Sequence, residues 1–430
     1  MKKYMSSFVS VLFLLGIGMA ACSNDDEMNE DDFDIIPYND SIPVGTKVLK
    51  IYNPYKDIKS HQYTGQMHCH TWTKFSEYPG IKFPYGYTQE QTLAMTDAER
   101  LATLENVATA FVQRHKDEGY DFIALSNYAQ FGDVTHKPAV MPKNFLWLCN
   151  SYETTSITLG IKQHMIVHRA PDFAVMYNSG TFKDVMNWVQ DNGCICQWPH
   201  PTDIGTYASP EVIATVRSRL RFMEVWDGIS MRRYDAQGNM TNRNIVVAGV
   251  MPDDPYDNII KQGNFTFCMA ISDERPTIGR STDVEMTTPN SSKNIKNGCV
   301  KVFADNLTCE DIFNSLLTGN FYASSNSDVN INSVTIANGR YTVDVGIEGV
   351  VVEFLKEDNT VVKTVNTSVG NTVAYYDISG DEQFVRARIH KLNNRPYNAD
   401  YWYYNKEWIV WTQPVFISNR VSRIEGTGMK

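Results

Sequence analysis

Positive charge is what this chain is short of. Its 39 Lys and Arg stand against 49 Asp and Glu, a net charge of −10 at pH 7. Nucleic-acid binding needs a basic surface, so nucleic acid is not an expected partner; a locally positive site for a small anion stays open. Paired-cysteine motifs are missing too. Of eight cysteines, seven follow Cys22, an odd number, and their spacings fit neither a zinc ribbon nor a dense disulfide framework. Internal repeats are absent. The one long apolar run, "FVSVLFLLGIGMAA" at 8–21, is short of the ~20 residues a membrane span needs. What is present is a large core: 43% hydrophobic and 12% aromatic residues over 430 positions. At ~100–200 residues per domain, that length predicts two or three domains.

The first 22 residues read as a targeting segment. Lys2 and Lys3 form its basic start, and the apolar run ends in small residues just before Cys22. This arrangement resembles the lipobox of bacterial lipoproteins, which implies a lipidated Cys22; an ordinary secretory signal is the alternative. "SNDDEMNEDDFD" follows as an acidic tether, taken to residue 45. Acidic residues just after the cysteine resemble the surface-export signals of Bacteroides-type lipoproteins. The expected location is the outer membrane or cell surface, with the periplasmic face as alternative and the lipid as the sole membrane contact.

Between residues 46 and 326, β-type runs alternate with helical stretches. The runs are 61–70, 121–126, 145–153, 164–169, 194–199, 221–228, 265–273 and 299–305; the helices are 88–118, 181–192, 209–219, 254–262 and 308–318, the last opening on Thr308 as N-cap. Such alternation predicts a parallel α/β architecture, and seven or eight units predict a closed barrel. From 327 to 430 the helical period disappears. Short alternating strands and turn signals such as Asn338-Gly339 predict a small β-sandwich.

Candidate metal ligands fall at the ends of these β-runs. His68 and His70 are two apart, so on a strand they share one face while Cys69 points away. Glu153, His164, His200 and Asp273 each stand at the edge of a further run. Parallel α/β barrels build active sites at such ends. Several histidines with carboxylates suit Zn, Mn or Fe. A single histidine of this kind is more often structural; six in register argue for a metal centre. His168, four residues beyond His164, competes for the same face. His61, His115 and His136 match no motif and are expected at the surface.

The order of these motifs resembles the PHP (polymerase and histidinol phosphatase) family of metal-dependent phosphoesterases. "MHCHTW" is similar to its HxH opening, "NSYETT" to its glutamate motif, "QHMIV" and "CQWPHP" to its later histidine motifs. "FMEVWDG" and "AISDERPTIG" are similar to the strands that follow, and the C-terminal strands resemble the CehA/McbA-like branch. The resemblance implies a distorted (β/α)7 TIM-like barrel of PHP type, followed by the β-domain. It implies one ion on His68, His70, Glu153 and Asp273, and a second on Glu153, His164 and His200. Three family histidines are replaced, by Ser76, Tyr128 and Arg275. In the family these serve a third ion, so the resemblance implies two divalent transition-metal ions here. Two ions bridged by a carboxylate can share a hydroxide and clamp an ester or phosphoryl oxygen. Arg275 would then supply a fixed positive charge for a substrate oxygen, and Tyr128 a hydrogen bond; a rim salt bridge and simple packing are the alternatives.

The expected function is hydrolysis of a small anionic or ester substrate, phosphoesters first and carboxylic or carbamic esters second. A catalytically weak or inactive binding protein is the reading from another class. An amidohydrolase-type barrel, which also opens on HxH and closes on aspartate, is a third. The polar loop 231–244 is expected on the side of the site.

Overall fold

The computed structural model describes residues 36–418, except Ser76, Pro79 and the stretches 129–136, 172–180, 217–219, 235–239, 242–245 and 276–294. The leader with Cys22, the acidic stretch to residue 35, His136 and most of the 231–244 loop therefore lie outside the described residues.

Local chemistry sets the helices. The single helix expected over 88–118 is two, Gln89–Ala94 and Asp97–Asp117. Each opens on a threonine capping box, Thr88 with Gln91 and Thr96 with Glu99. The Thr96 side chain accepts the Glu99 N–H in the first turn, so a second helix starts there. Phe182–Asp191, Asp254–Lys261 and Cys309–Leu317 lie where the apolar period places them, the last capped by Thr308. Of 209–219, only Pro210–Ile213 is α-helical among the described residues.

The protein is mixed α/β, and its strands form two main open sheets in place of the closed (β/α)7 barrel expected. One sheet runs, in spatial order, Phe267–Ile271, Leu220–Asp227, Ile195–Trp198, Ile161–His168, Ser151–Thr158. The other, of twelve strands, carries Cys299–Ala304, His61–Gln66, Phe122–Ile123 and Leu146–Trp147 at one end. Pairing is also less parallel than expected. Ser151–Thr158 and Ile161–His168 form an antiparallel hairpin. Its two turn residues, Leu159 and Gly160, both have positive φ, 51° and 76°, as a tight hairpin turn requires.

The edge of Phe267–Ile271 explains why no ring of strands closes. Gln413 takes the Cys268 N–H on its Oε1 and donates from Nε2 to the Cys268 carbonyl, each at 2.9 Å. A side chain thus occupies a position where a neighbouring strand would pair. Further along, Gln66 Nε2 donates to Ser272 Oγ at 2.7 Å. Isolated bridges, Cys69 with Glu274 and Tyr128 with Glu153, link the sheets at the candidate site.

Five strands after residue 326, Val351–Lys356, Thr360–Asn366, Phe384–Leu392, Lys406–Thr412 and Val415–Ile417, belong to the twelve-stranded sheet. Lys406–Thr412 pairs with Phe321–Ser324 and with Phe384–Leu392. A separate three-stranded sheet, Ser333–Ala337, Arg340–Asp344 and Val373–Asp377, shares a core with these strands around Tyr341, Phe354, Ile389 and Val410. Within the stretch read as tether, Asp40–Val44 forms a strand paired with Lys47–Tyr52, because Ile42 joins that same core. His61 is exposed as expected. His115 is not: it is fully buried between Phe111 and Tyr120, with Nδ1 3.0 Å from the Phe111 carbonyl.

Candidate metal centre

The predicted donors come from five strands: His68, His70, His200 and Asp273 follow strand ends, whereas Glu153 and His164 stand within Ser151–Thr158 and Ile161–His168 and not at run edges as expected. His68 and His70 follow His61–Gln66, and their Nε2 atoms are 3.1 Å apart. Asp273 follows Phe267–Ile271 and sets Oδ1 3.3 Å from both nitrogens. Glu153, inside the hairpin, places Oε2 3.5 Å from His70 Nε2. Its other oxygen lies 2.6 Å from His164 Nδ1 and 3.4 Å from His200 Nε2. The donor atoms of His68, His70 and Asp273 lie within 4.8 Å of one another, and so do those of His68, Glu153 and His200. His164 belongs to neither close group and reaches the site through Glu153.

Two of the candidate ligands sit in unusual backbone conformations. His200 and Asp273 have φ of 31° and 47°, a left-handed region that costs a non-glycine residue energy and is concentrated at functional sites. At His200 the turn aims the backbone N–H at Glu224 Oε2, 2.7 Å away.

Glu224 is the organiser that sequence reasoning missed. It is buried and sits 2.9 Å from His68 Nδ1, and it accepts from Gln197 Nε2 at 2.6 Å. That contact turns His68 Nε2 toward His70 and Asp273, the carboxylate–histidine arrangement that orients metal ligands. The motif "FMEVWDG" was the available signal, but nothing local reveals that Glu224 meets His68, 156 residues away. Asp203 and Asp227 were missed likewise. Ser230 Oγ donates to Asp203 at 3.0 Å, and Asp227 Oδ1 accepts from the Ile229 and Ser230 N–H groups. Lys74 holds its ammonium 4.7 Å above the Tyr128 ring, and burial lowers it to about 8.

His168 has other partners. It is fully buried, with Nδ1 2.8 Å from Ser151 Oγ and Nε2 2.9 Å from Gln197 Oε1, away from Glu153. Asn127 accepts from the Thr71 N–H at 2.7 Å and so pins the loop after the histidine pair. Cys69 points into a separate core cluster.

Charge is tightly balanced. Burial opposes a charged His68, yet Asp273 and Glu224 outweigh it and raise the ring to about 9. Burial wins at His70 and lowers it to about 4. Burial also opposes the Glu153 carboxylate, but His164, His200 and His70 hold it well below the usual range. Burial pushes Asp203 and Asp227 upward, and neighbouring carboxylates add to it.

The donor set fits a cation. Four atoms around one ion at ~2.0–2.2 Å stand ~3.3–3.6 Å apart in tetrahedral geometry. The spacings of 3.1 and 3.3 Å among His68, His70 and Asp273 lie close to this, and Glu153 Oε2 adds a 3.5 Å approach to His70. Asp273 Oδ1 and His70 Nδ1 are buried without a hydrogen-bond partner, and a buried carboxylate oxygen facing two imidazoles calls for a cation. Above the donors is a cavity of about 200 Å³, walled by Tyr128, Ile229, Thr206 and Arg275 among others. Tyr128 stacks on His70 at 4.4 Å, and Arg275 donates to Asp273 Oδ2 at 2.8 Å.

Among known proteins, no family model and no curated sequence matches the chain. Among solved structures, a two-domain protein from Bacteroides vulgatus, containing a predicted PHP-like metal-dependent phosphoesterase, is similar over 83% of this chain and 94% of its own. Identity is 13% and the TM-score 0.38.

Proposed function

We propose that the chain is a metal-dependent hydrolase of small anionic esters, with phosphoesters the first substrate class and carboxylic or carbamic esters the second. The observation that carries this reading is the pair of buried donor groups that share His68: His68, His70 and Asp273, and His68, Glu153 and His200, each with its donor atoms within 4.8 Å of one another. Glu153 extends its other oxygen to His164 and His200, which supports a second ion and a dinuclear centre of Zn, Mn or Fe. When bound, such ions supply Lewis acidity toward an ester or phosphoryl oxygen and toward water.

The chain's own residues divide the remaining work. Glu224 holds the His68 ring so that Nε2 points at the donor set. Arg275, at the cavity wall with one nitrogen on Asp273, would set a positive charge beside a substrate oxygen. Tyr128 closes one side and fixes the plane of His70. Cys22 lipidation would hold this activity at the outer membrane or cell surface, with the β-strands after 326 as the CehA/McbA-like portion of a PHP-type fold.

One observation favours a second reading, a binding protein with weak or no turnover. Arg275 spends part of its guanidinium on Asp273, itself a candidate ligand. Metal analysis of the purified full chain, joined to assays on an aryl phosphate and an aryl ester, separates the two. About two equivalents of transition metal and an activity lost in His68→Ala are expected. Protein that stays metal-free after reconstitution refutes the enzyme.

A further inference from the structure

We propose that a row of buried side chains crossing the five-stranded sheet, Ser151, His168 and Gln197, is a positioning relay that acts on the metal centre through Glu224. The inference rests on the metal-dependent reading above and extends it to residues outside the donor set.

The sheet itself lays out the row. Ser151, His168, Gln197 and Glu224 stand one each on Ser151–Thr158, Ile161–His168, Ile195–Trp198 and Leu220–Asp227, strands adjacent in that order. Their side chains join from strand to strand. Ser151 Oγ is 2.8 Å from His168 Nδ1, His168 Nε2 is 2.9 Å from Gln197 Oε1, and Gln197 Nε2 is 2.6 Å from Glu224 Oε1. The same oxygen lies 2.9 Å from His68 Nδ1. All four residues are at most 1% exposed, and their sequence neighbours Tyr152, Val167, Cys196 and Met223 belong to the apolar core. Polar groups are costly in such surroundings unless paired. A row that is paired throughout specifies one arrangement of its members.

The direction of each bond follows from the chemistry at its end. A carboxylate only accepts, so Gln197 turns Nε2 to Glu224 and Oε1 to His168. His168 therefore carries its proton on Nε2, and its Nδ1 accepts from the Ser151 hydroxyl. Burial lowers His168 to about 4, so the ring is neutral at pH 7 and has one proton to place. With its own hydrogen on His168, Ser151 Oγ accepts from the Cys149 thiol, 3.3 Å away. Every hydrogen in the row thus points toward Glu224, which also meets His68 Nδ1 and the His200 N–H. A flipped Gln197 amide would set its oxygen against the carboxylate and its NH₂ against the His168 N–H. Ser151, by fixing the His168 tautomer, prevents the flip; Gln197 then holds Glu224 where it aims the His68 ring.

Two measurements on the full chain test the relay. Nitrogen-15 NMR of the histidine rings reads the His168 tautomer with or without metal, and the proton is expected on Nε2 at pH 7. Chelator competition with zinc and the visible spectrum of the cobalt(II) form read the centre. Gln197→Met, similar in size, should weaken zinc about tenfold or more, as loss of an outer partner does. It should also shift the cobalt bands, with loading at saturating metal unchanged. Ser151→Ala, which frees the His168 tautomer, should weaken zinc about threefold, the effect of one hydrogen bond. It carries the test if Gln197→Met does not fold. A His168 proton on Nδ1, or folded variants that match wild type in zinc affinity and cobalt spectrum, would overturn the relay alone. Wild type that takes up no metal would overturn the metal-dependent reading together with it.

Discussion

At the scale of single residues, the candidate centre depends on groups that hold the donor side chains without being donors themselves. Glu224 fixes the His68 ring through Nδ1 and receives the His200 N–H. Glu224→Gln keeps the shape and removes the charge. Loss of such a partner costs ~10–100-fold in metal affinity, and that is the expected outcome in a chelator-competition titration, with the unfolding midpoint little changed. The two rival histidines make opposite predictions. His164→Ala should lower metal stoichiometry and leave stability near wild type, since His164 is half-buried. His168→Ala should keep the metal yet cost ~1–3 kcal/mol, because Ser151 and Gln197 lose a buried partner. Denaturant unfolding beside metal analysis reads both.

At the scale of elements, the Asp97–Asp117 helix carries its own acid sensitivity. Burial holds His115 neutral, lowered to about 4, against ~6.5 in the unfolded chain. Between those pH values the unfolded state binds a proton that the native state refuses. Stability therefore rises with pH across this window and is lost as pH falls from ~6.5 to ~4, by ~1.4 kcal/mol per pH unit for this one group. Urea unfolding of wild type and His115→Phe between pH 4 and 7 checks it: the variant should show the shallower slope by one proton's worth. A period-3.6 pattern marks the helix in the sequence. That His115 faces Tyr120 inside the core, rather than solvent, depends on where Tyr120 is held, and its hydroxyl donates to the distant Ile295 and Gly298 carbonyls.

For the whole molecule, the consequence of the shared sheet is mutual dependence. Trp411 is buried against Trp226, Tyr322 pairs in register with Thr412, and Gln413 occupies the edge at Cys268. A chain ending at residue 326 would expose these apolar and unpaired groups. It should accumulate insoluble, or soluble with little native circular dichroism, whereas the full chain stays soluble; comparative expression followed by spectroscopy measures this. A self-contained N-terminal part would instead fold alone and take up metal.

Much of the site was legible in the sequence because its rules are local. Period-two alternation puts His68 and His70 on one face with Cys69 opposite, and strand-end placement singles out His200 and Asp273, whereas Glu153 stands inside a strand that begins at Ser151. Capping chemistry likewise placed Thr308 at a helix start. The Leu159-Gly160 turn was legible in principle, and its hairpin was read as parallel alternation instead. The rest was decided only by tertiary structure, because it rests on contacts between residues far apart along the chain. These include Glu224 behind His68, Gln413 on the edge of Phe267–Ile271, and the joining of the C-terminal strands to the large sheet. Pattern and propensity fix which face a side chain takes; which strand arrives beside it depends on how the whole core packs.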